Sequence, residues 1–273
     1  MARKSKTVGS GAIRAGIGGW TFEPWRGVFY PQSLPHSKEL HYASHHLATI
    51  EINGTYYRTQ KPSTFANWAN EAPPGFIFTV KGPRYATNRR VLAEAGESIE
   101  RFVASGVTEL AEKLGPLLWQ FAPTKKFDAA DFGAFLDLLP QKSAGVVLKH
   151  AVEVRHPSFC TPEFVGLARK KSIGIVFADH ATYPAISDVT SDFIYARLQT
   201  GEDTIPTAYK PKALDKWAER AKVWASGGAP DDLPIIDPAH EPARQPRDVF
   251  VYFIHEGKVR APAAATAFQQ RVS

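Results

Sequence analysis

Cysteine is almost missing from this sequence, and its scarcity removes two classes of site. Cys160 is the single cysteine among 273 residues, so the chain has no internal disulfide and no metal cluster built from several thiolates. Cys160 follows residues 156–159 directly and is interpreted as a small apolar side chain in a loop. A role as a nucleophile is the weaker alternative.

Long apolar runs are missing as well. The basic opening, residues 1–6, leads into a stretch that lacks the apolar run of a signal peptide. No later run reaches the length of a membrane span. We therefore expect a cytoplasmic protein that makes no use of a membrane, with a disordered basic N-terminus over residues 1–14.

Several signatures of known chemistry are also absent. The sequence has no glycine-rich phosphate loop with its lysine, no Gly-x-Ser-x-Gly elbow and no Cys–His pair at a recognisable spacing. These absences disfavour an NTPase, an α/β-hydrolase and a thiol enzyme. No His-x-Glu-x-x-His or similar spacing occurs, so we expect no metal and no cofactor. A metal-dependent hydrolase stays an alternative, with Glu51, Asp179 and His255 as the ligands it would use.

The chain does carry an excess of positive charge, formally +6. Such an excess suits a small anionic molecule, and it also suits nucleic acid or an acidic protein partner. The basic runs are short, and none alternates with aromatic residues along a stripe. A nucleic-acid or acidic-partner binding module is therefore kept as an alternative function.

Apolar runs rich in β-branched and aromatic residues alternate with stretches of helical period. At 44% hydrophobic and 12% aromatic residues, the composition is ample for a packed core. The predicted strands span residues 15–19, 49–53, 76–81, 116–121, 146–155, 174–179, 193–199 and 249–255. The predicted helices span residues 38–46, 64–70, 99–114, 129–139, 162–171 and 211–225. Eight strands that alternate with helices predict a TIM-type (β/α)8 barrel of parallel strands.

Two connections of this barrel are predicted to be irregular. Only residues 181–191 join the sixth and seventh strands, and Tyr183-Pro184 argues against a full helix, so this helix is expected to be weak or missing. Before the last strand, residues 227–247 carry five prolines and no period. They are interpreted as a long surface loop or lid within a single domain of residues 15–273.

Many of the predicted strands end on a charged or amide side chain, and this repetition locates a candidate site. In residues 49–53, alternation puts Glu51 and Asn53 on one face of the strand and the two isoleucines on the other. Inside a barrel, Glu51 and Asn53 would point inward. An inward carboxylate is a candidate for catalysis, and the alternative is a carboxylate that a neighbouring base neutralises purely to fill the barrel.

The same alternation places Glu153 and Arg155 together on one face of the fifth strand. One interpretation is a structural ion pair and nothing more. The functional interpretation is that Arg155 offers its planar fork to a carboxylate or phosphate, while Glu153 orients it or moves a proton. His156, the next residue, is assigned to the substrate-binding group.

Other strand ends supply Lys81, Gln120, Asp179, Arg197 and His255. The acidic residues Glu51, Glu153 and Asp179 then balance the basic residues Lys81, Arg155 and Arg197 in number, so the pocket could exist without metal or ligand.

Aromatic residues crowd the predicted mouth of the barrel. Trp20 and Trp25 follow the first strand, and Tyr56 and Tyr57 follow the second. They are interpreted as the wall of a pocket for a planar or sugar-like ligand, with a hydrophobic plug as the alternative.

Short motifs spread over residues 15–260 carry a family resemblance. They are Ile17-Gly18-Gly19-Trp20 with Trp25, Phe29-Tyr30-Pro31 and Leu34-Pro35; Glu51-Ile52-Asn53 with Thr55-Tyr56-Tyr57; Lys113-Leu114-Gly115-Pro116 with Gln120; Glu153-Val154-Arg155-His156; and Ala178-Asp179. Together they resemble the YecE-like proteins, the domain-of-unknown-function family 72. The resemblance implies an irregular TIM-type barrel with these positions gathered at the carboxyl ends of the strands, and it implies no reaction.

The chain departs from the family pattern at two strand ends. Arg197-Leu198-Gln199-Thr200-Gly201 stands where members have Arg-Leu-His-Gly, and the last strand ends in Ile254-His255-Glu256 instead of Asn-Asn-Asp. These departures point to a divergent substrate.

The leading hypothesis is an enzyme, of the hydrolase, isomerase or lyase class, that acts on a small anionic or polyol-like compound by metal-independent acid–base chemistry. Glu51 or Glu153 would transfer the proton, and Lys81 would be an electrophile or acid. Asp179 completes the predicted catalytic group. The predicted substrate-binding residues are Trp20, Trp25, Asn53, Tyr56, Tyr57, Gln120, Arg155, His156, Arg197 and His255.

Overall fold

Eight parallel strands form a closed barrel in the computed structural model of this protein, which describes residues 9–273. Each strand pairs with the next one along the chain, and the eighth pairs with the first. The strands are β1 (Ile13–Gly18), β2 (Thr49–Ile52), β3 (Ile77–Lys81), β4 (Leu114–Gln120), β5 (His150–Glu153), β6 (Gly174–Asp179), β7 (Phe193–Thr200) and β8 (Asp248–Glu256). The predicted TIM-type barrel is therefore confirmed.

Helices surround the barrel and follow most of its strands. They are α1 (Glu39–His46), α2 (Gly54–Tyr57), α3 (Pro62–Glu71), α4 (Arg84–Thr87), α5 (Gly96–Val103), α6 (Ala129–Asp137), α7 (Pro162–Lys170), α8 (Pro211–Ala225) and α9 (Ala261–Val272). Asp128 and Thr161 cap α6 and α7, because their side-chain oxygens accept hydrogen bonds from the backbone N–H of Asp131 and Phe164. None of the helices described here is both long and apolar enough to cross a bilayer.

The strand side chains divide between two apolar layers. Ile50 and Ile52 belong to the layer between barrel and helices, whereas Leu118, Val176 and Tyr195 belong to a separate cluster inside the barrel. The strands therefore alternate between inward-facing and outward-facing side chains, as predicted for residues 49–53. A charged side chain that faces inward must find its partner inside, because both faces of these strands are buried.

The fifth strand is shorter than predicted. Lys142–Ser143 and Val146–Val147 form a small antiparallel hairpin instead, because Ala144 and Gly145 adopt the positive φ angles that a tight turn requires. The barrel strand begins only at His150.

The predicted helix 99–114 is interrupted at Gly106. α5 ends at Val103, and the chain continues over Val107–Lys113 as 3₁₀ turns with a kink at Ala111, where φ is +50°. Gly106 has a φ of +104°, and a Cβ at this position would lie 2.5 Å from the Cα of Pro62. Glycine is therefore required for the close approach to the start of α3.

The two irregular connections have the character that the sequence predicts. Within the described residues, no helix lies between β6 and β7. Residues 227–247 form neither helix nor strand, and they are held by Asp188, which accepts from the backbone N–H of Ile236 and Asp237. This segment lines no part of the pocket at the barrel mouth, so the lid alternative gains no support.

The predicted disordered N-terminus, residues 1–14, falls largely outside the structure. Residues 1–8 lie outside the described part of the chain. Ile13 and Arg14 already belong to β1, so the barrel begins before residue 15.

Candidate active site

A pocket of about 850 Å³ opens at the carboxyl ends of the strands. This is the face at which TIM-barrel enzymes carry their active sites. The structure brings most of the predicted site residues to its lining: Trp20, Trp25, Asn53, Tyr56, Tyr57, Lys81, Gln120, Arg155, Arg197 and His255. Glu51 and Glu153 lie beneath the pocket and are completely buried.

Arg197 joins the two buried carboxylates under the pocket. Its Nη2 lies 3.0 Å from Oε1 of Glu51, and its Nη1 pairs with Oε2 of Glu153. Nη1 also lies 3.2 Å from the side-chain oxygen of Gln120. One guanidinium therefore bridges β2, β4 and β5 from its place on β7.

Arg155 lies one layer closer to the mouth and shares two of these partners. Its Nε donates to Oε1 of Glu153 at 2.8 Å, and its Nη2 donates to Gln120 at 2.8 Å. The guanidinium carbon lies 4.5 Å from the ring centroid of Tyr183. The predicted Glu153–Arg155 pair thus exists, and the guanidinium is held in one orientation at the pocket wall.

The buried ion pairs keep these groups charged. Burial alone would raise the pKa of Glu153, but the guanidinium groups of Arg197 and Arg155 outweigh it and lower this pKa. Burial opposes the charge of Arg197, while Glu153 and Glu51 raise its pKa above the usual arginine value. Glu153 is therefore a carboxylate at neutral pH.

Lys81, at the end of β3, is the exception among the charged groups. Its side chain is buried, yet Nζ has no hydrogen-bond partner and no ion pair among residues 9–273, and it lies 4.4 Å from the ring centroid of Tyr56. Burial, with a further contribution from Arg197, lowers the pKa of Lys81 to about 8. An amine with this pKa changes its charge close to neutral pH.

Asp179 does not join the other charged groups. The neighbouring residue Ala178 belongs to the inward face of β6, and the Asp179 carboxylate accepts a hydrogen bond from Oγ1 of Thr200 at 2.6 Å. We call Glu51, Lys81, Glu153, Arg155 and Arg197 the ionic ring. Without Asp179 it contains two carboxylates and three cationic side chains, so the predicted balance of charge does not hold.

His156 also lies outside the pocket lining. β5 ends at Glu153, and His156 begins the next turn, where its Nδ1 accepts from the backbone N–H of Ser158 at 3.1 Å. This is a capping role for the short 3₁₀-helix Pro157–Phe159.

The aromatic residues at the mouth combine both predicted roles. Trp25 is buried, with its indole N–H donating to the backbone oxygen of Lys258 at 2.8 Å, and packs edge-on against Phe22. Trp20 packs edge-on against Trp68, with ring centroids 5.1 Å apart, and both line the pocket. Tyr57 is 67% exposed at the rim. The inner rings form a plug, and the outer rings form a wall.

A family model described as Protein of unknown function DUF72 matches residues 14–273. The chain belongs to the DUF72 family. The resemblance drawn from the motifs is thus confirmed, because the YecE-like proteins are the same family. No curated protein matches the chain.

Solved structures agree with the barrel. A DUF72 family protein from Thermotoga maritima MSB8 is 24% identical, with a TM-score of 0.68 over 94% of this chain and 97% of that one. A DUF72 family protein from Enterococcus faecalis V583 is 18% identical, with a TM-score of 0.69 over 95% of each chain. SacUVDE is 8% identical, with a TM-score of 0.55 over 95% of this chain and 98% of that one. At these identities the likeness shows the fold alone.

Sequence reasoning missed a second polar layer of this DUF72 barrel, directly below the ionic ring. Tyr195 donates to Oε2 of Glu51 at 2.6 Å and lies 3.0 Å from Oγ1 of Thr79. Thr79 donates to the hydroxyl of Tyr252 at 2.9 Å, which lies 2.8 Å from Oγ1 of Thr49. We call Thr49, Thr79, Tyr195 and Tyr252 the hydroxyl layer. Each member is two residues before a pocket-side residue on its strand. The period of two along a strand could therefore have predicted that these side chains also face into the barrel.

Three buried polar atoms at the pocket have no hydrogen-bond partner within the described residues. They are Oδ1 of Asn53, Nε of Arg197 and Nε2 of Gln199, and all three residues line the pocket. Buried polar atoms are normally bonded, so these three atoms mark positions where a ligand or an ordered water would complete the hydrogen bonding.

Among residues 9–273, no group of three or more His, Cys, Asp or Glu side chains is arranged to hold a metal ion. Glu51, Asp179 and His255, the ligands that the metal alternative would use, therefore do not form one site.

Proposed function

We propose that the pocket is the active site of an enzyme that acts on a small anionic compound by metal-independent acid–base chemistry. The observation that carries the proposal is Lys81, a lysine with a largely buried side chain that lines the pocket and has no carboxylate partner among the described residues. A buried charge without a partner is costly, so such groups concentrate at functional sites.

The charges of the ionic ring favour an anion as the ligand. Glu51 and Glu153 neutralise two cations, and one positive charge is left over when Lys81 is protonated. A carboxylate or phosphate in the pocket would neutralise that charge in a site of low dielectric, where the attraction is strong. Arg155 donates to Glu153, Gln120 and Tyr183, and it would offer the remaining N–H groups of Nη1 and Nη2 to the same anion.

The acid–base step falls to Lys81 in this proposal. With a pKa of about 8, its amine can donate a proton when charged and accept one when neutral. Glu51 and Glu153 were predicted as the proton-transfer groups, but both are completely buried and their oxygens already accept hydrogen bonds. Their proposed role is to hold Arg197 and Arg155.

Calorimetric titration with phosphate and malonate at low ionic strength tests this proposal, with glycerol as the uncharged comparison. The wild-type protein is expected to bind an anion and not glycerol. Lys81→Met should weaken that binding by about tenfold or more, because a full charge in a partly dry pocket contributes at least 1.4 kcal/mol. Lys142→Met is the matched control, because it removes the same charge from the exposed hairpin outside the pocket.

Two results would overturn the proposal. One is that neither anion binds the wild-type protein, and the other is that Lys81→Met binds as tightly as Lys142→Met does.

A further inference from the structure

Two lysines of this barrel are equally buried and differently bonded. Lys81 and Lys113 are each 8% exposed. Nζ of Lys113 donates to the backbone oxygens of Ala69 and Ala72, both at 2.6 Å. Nζ of Lys81 has no such acceptor in the described residues and faces the pocket instead. Lys113 is a structural cross-link, whereas the amine of Lys81 is free to react.

The surroundings of Lys81 make its neutral form easier to reach than that of an ordinary lysine. The face of the Tyr56 ring, 4.4 Å away, attracts the ammonium, but no carboxylate is paired with it among the described residues. Burial and the neighbouring cation Arg197 lower the pKa of Lys81 and outweigh the attraction of Glu51 and Glu153, so that this pKa is about 8. About one amine in ten is then neutral at pH 7. Desolvation and an adjacent cation are the two ways in which proteins activate a nucleophilic lysine.

We propose that Lys81 is a nucleophile that forms an imine with its substrate, so that the substrate class is a small aldehyde or ketone that carries a carboxylate or phosphate. This inference rests on the proposed function and names the substrate class of the same pocket.

The covalent step balances without any other reactant. The amine nitrogen attacks the carbonyl carbon, and the carbonyl oxygen takes up the proton that the nitrogen releases, which gives a carbinolamine. The proton that the ammonium gave to solvent when it became the neutral amine returns from solvent to the carbinolamine hydroxyl, which leaves as water while the nitrogen lone pair forms the C=N bond. The iminium ion has its positive charge at the position of the former ammonium. The single surplus charge of the ionic ring is therefore kept through the step, and it withdraws electrons from the adjacent carbon.

Other groups of the pocket fit the two ends of such a substrate. Arg155 has a fixed guanidinium for the anionic group. Asn53 and Gln199 contribute the unpartnered Oδ1 and Nε2 atoms, an acceptor and a donor for a hydroxyl or carbonyl oxygen. These residues would position the substrate through hydrogen bonds, while Lys81 alone would form a covalent bond to it.

Trapping with borohydride tests the inference, because hydride addition turns an imine into a stable secondary amine. The full-length protein is incubated with glyoxylate, pyruvate or dihydroxyacetone phosphate, and with uncharged dihydroxyacetone, before reduction and peptide mass spectrometry. An adduct is expected on Lys81 with at least one anionic carbonyl, in at least tenfold excess over dihydroxyacetone. Lys113, equally buried, is expected to stay unmodified and serves as the internal control.

Lys81→Arg separates this inference from the proposed function. The variant keeps the positive charge but cannot form an imine, so it should still bind phosphate or malonate and should lose the adduct. If wild-type protein binds an anion but no carbonyl labels Lys81, the imine is wrong and the proposed function stands. If no anion binds either, both fail. Equal labelling of Lys81 and exposed lysines would also overturn the imine.

The pH dependence supplies a measurement on wild-type protein alone, which applies even if Lys81→Arg does not fold. The yield of the Lys81 adduct at short times should rise with pH and level off above about 8, since only the neutral amine attacks. A yield that keeps rising toward pH 10.5, the ordinary lysine value, would contradict an activated amine.

Discussion

The ionic ring and the hydroxyl layer share β2, β3 and β7, but they differ in how completely they are bonded. Glu51 is two residues after Thr49 on β2, Lys81 two residues after Thr79 on β3, and Arg197 two residues after Tyr195 on β7. In the hydroxyl layer every hydroxyl has a partner. In the ring, Lys81 has none among the described residues and Arg197 has a free Nε.

The difference separates two uses of buried polarity. Burial is the largest cause that raises the pKa of Tyr195 and of Tyr252, so both stay neutral donors at physiological pH. A neutral layer in which each group is bonded fills the barrel at little electrostatic cost. The ring above it keeps a surplus charge and unpaired atoms, which make its burial electrostatically costly.

Of the proposed substitutions, removal of Arg197 should lower the stability of the protein most. Arg197→Met leaves two fully buried carboxylates without their shared cation. The free energy of unfolding is expected to fall by about 3–5 kcal/mol, measured by urea denaturation. Arg155→Met, which removes a partly exposed cation from the same ring, should cost less than half as much. Equal losses would mean that the two arginines share the stabilisation of Glu153 evenly.

Removal of single hydroxyls should have intermediate effects that differ between two tyrosines. Tyr195→Phe takes a hydrogen bond from the charged carboxylate of Glu51, and we expect a loss of about 1.5–3 kcal/mol. Tyr252→Phe removes bonds to Thr49 and Thr79 only, and about 0.5–1.5 kcal/mol should be lost. The comparison fails if urea denaturation shows Tyr252→Phe to be the more destabilising change.

Removal of the Lys81 charge should have the smallest effect, and the opposite sign. Lys81→Met is expected to raise the free energy of unfolding at pH 7 by on the order of 1 kcal/mol, because it removes a buried charge without a partner. The same variant should bind anions about tenfold more weakly or worse. The Lys81 charge would therefore favour binding at the expense of folding stability.

The gain from Lys81→Met should depend on pH. The folded-state pKa of Lys81, about 8, lies below the ordinary value of 10.5, so below pH 8 the folded wild-type protein carries the whole destabilisation. Between pH 8 and about 10.5 the folded protein binds fewer protons than the unfolded chain, and wild-type stability rises relative to the variant. Urea denaturation from pH 6 to 10 should show the difference shrinking above pH 8. A constant difference would place the pKa of Lys81 at its ordinary value.

The inward-facing residues of the site can be predicted from the sequence, because side chains alternate between the two faces of each strand. Glu51, Glu153 and Arg197 face inward as the period of two requires, and the ends of parallel strands must meet at one face of the barrel. The same rule applied to β6 selects Val176 and Ala178 and leaves Asp179 on the opposite parity. Asp179 entered the predicted group because it ends a strand, which is a weaker criterion than its parity.

The remaining features depend on contacts between strands that are far apart in the sequence. The net charge of the ionic ring depends on which side chains pair with Arg197. These side chains come from β2, β4 and β5, while Arg197 itself lies on β7. The hairpin at Ala144 and Gly145 depends on positive φ angles, and the pattern of apolar residues does not predict such angles. Local patterns therefore predict the barrel and the candidate residues, whereas pairing determines the charge of the pocket.

The connection between β6 and β7 has a consequence for how the surroundings of Arg155 can change during evolution. Its residue Tyr183 covers the guanidinium of Arg155 and stacks on His180 at 3.7 Å, although no helix anchors this part of the chain. Loops without helices tolerate insertion and replacement far better than packed elements do. The cover over Arg155 is thus a replaceable segment on a fixed barrel, and the surroundings of this guanidinium can diverge there while the hydrophobic core stays intact.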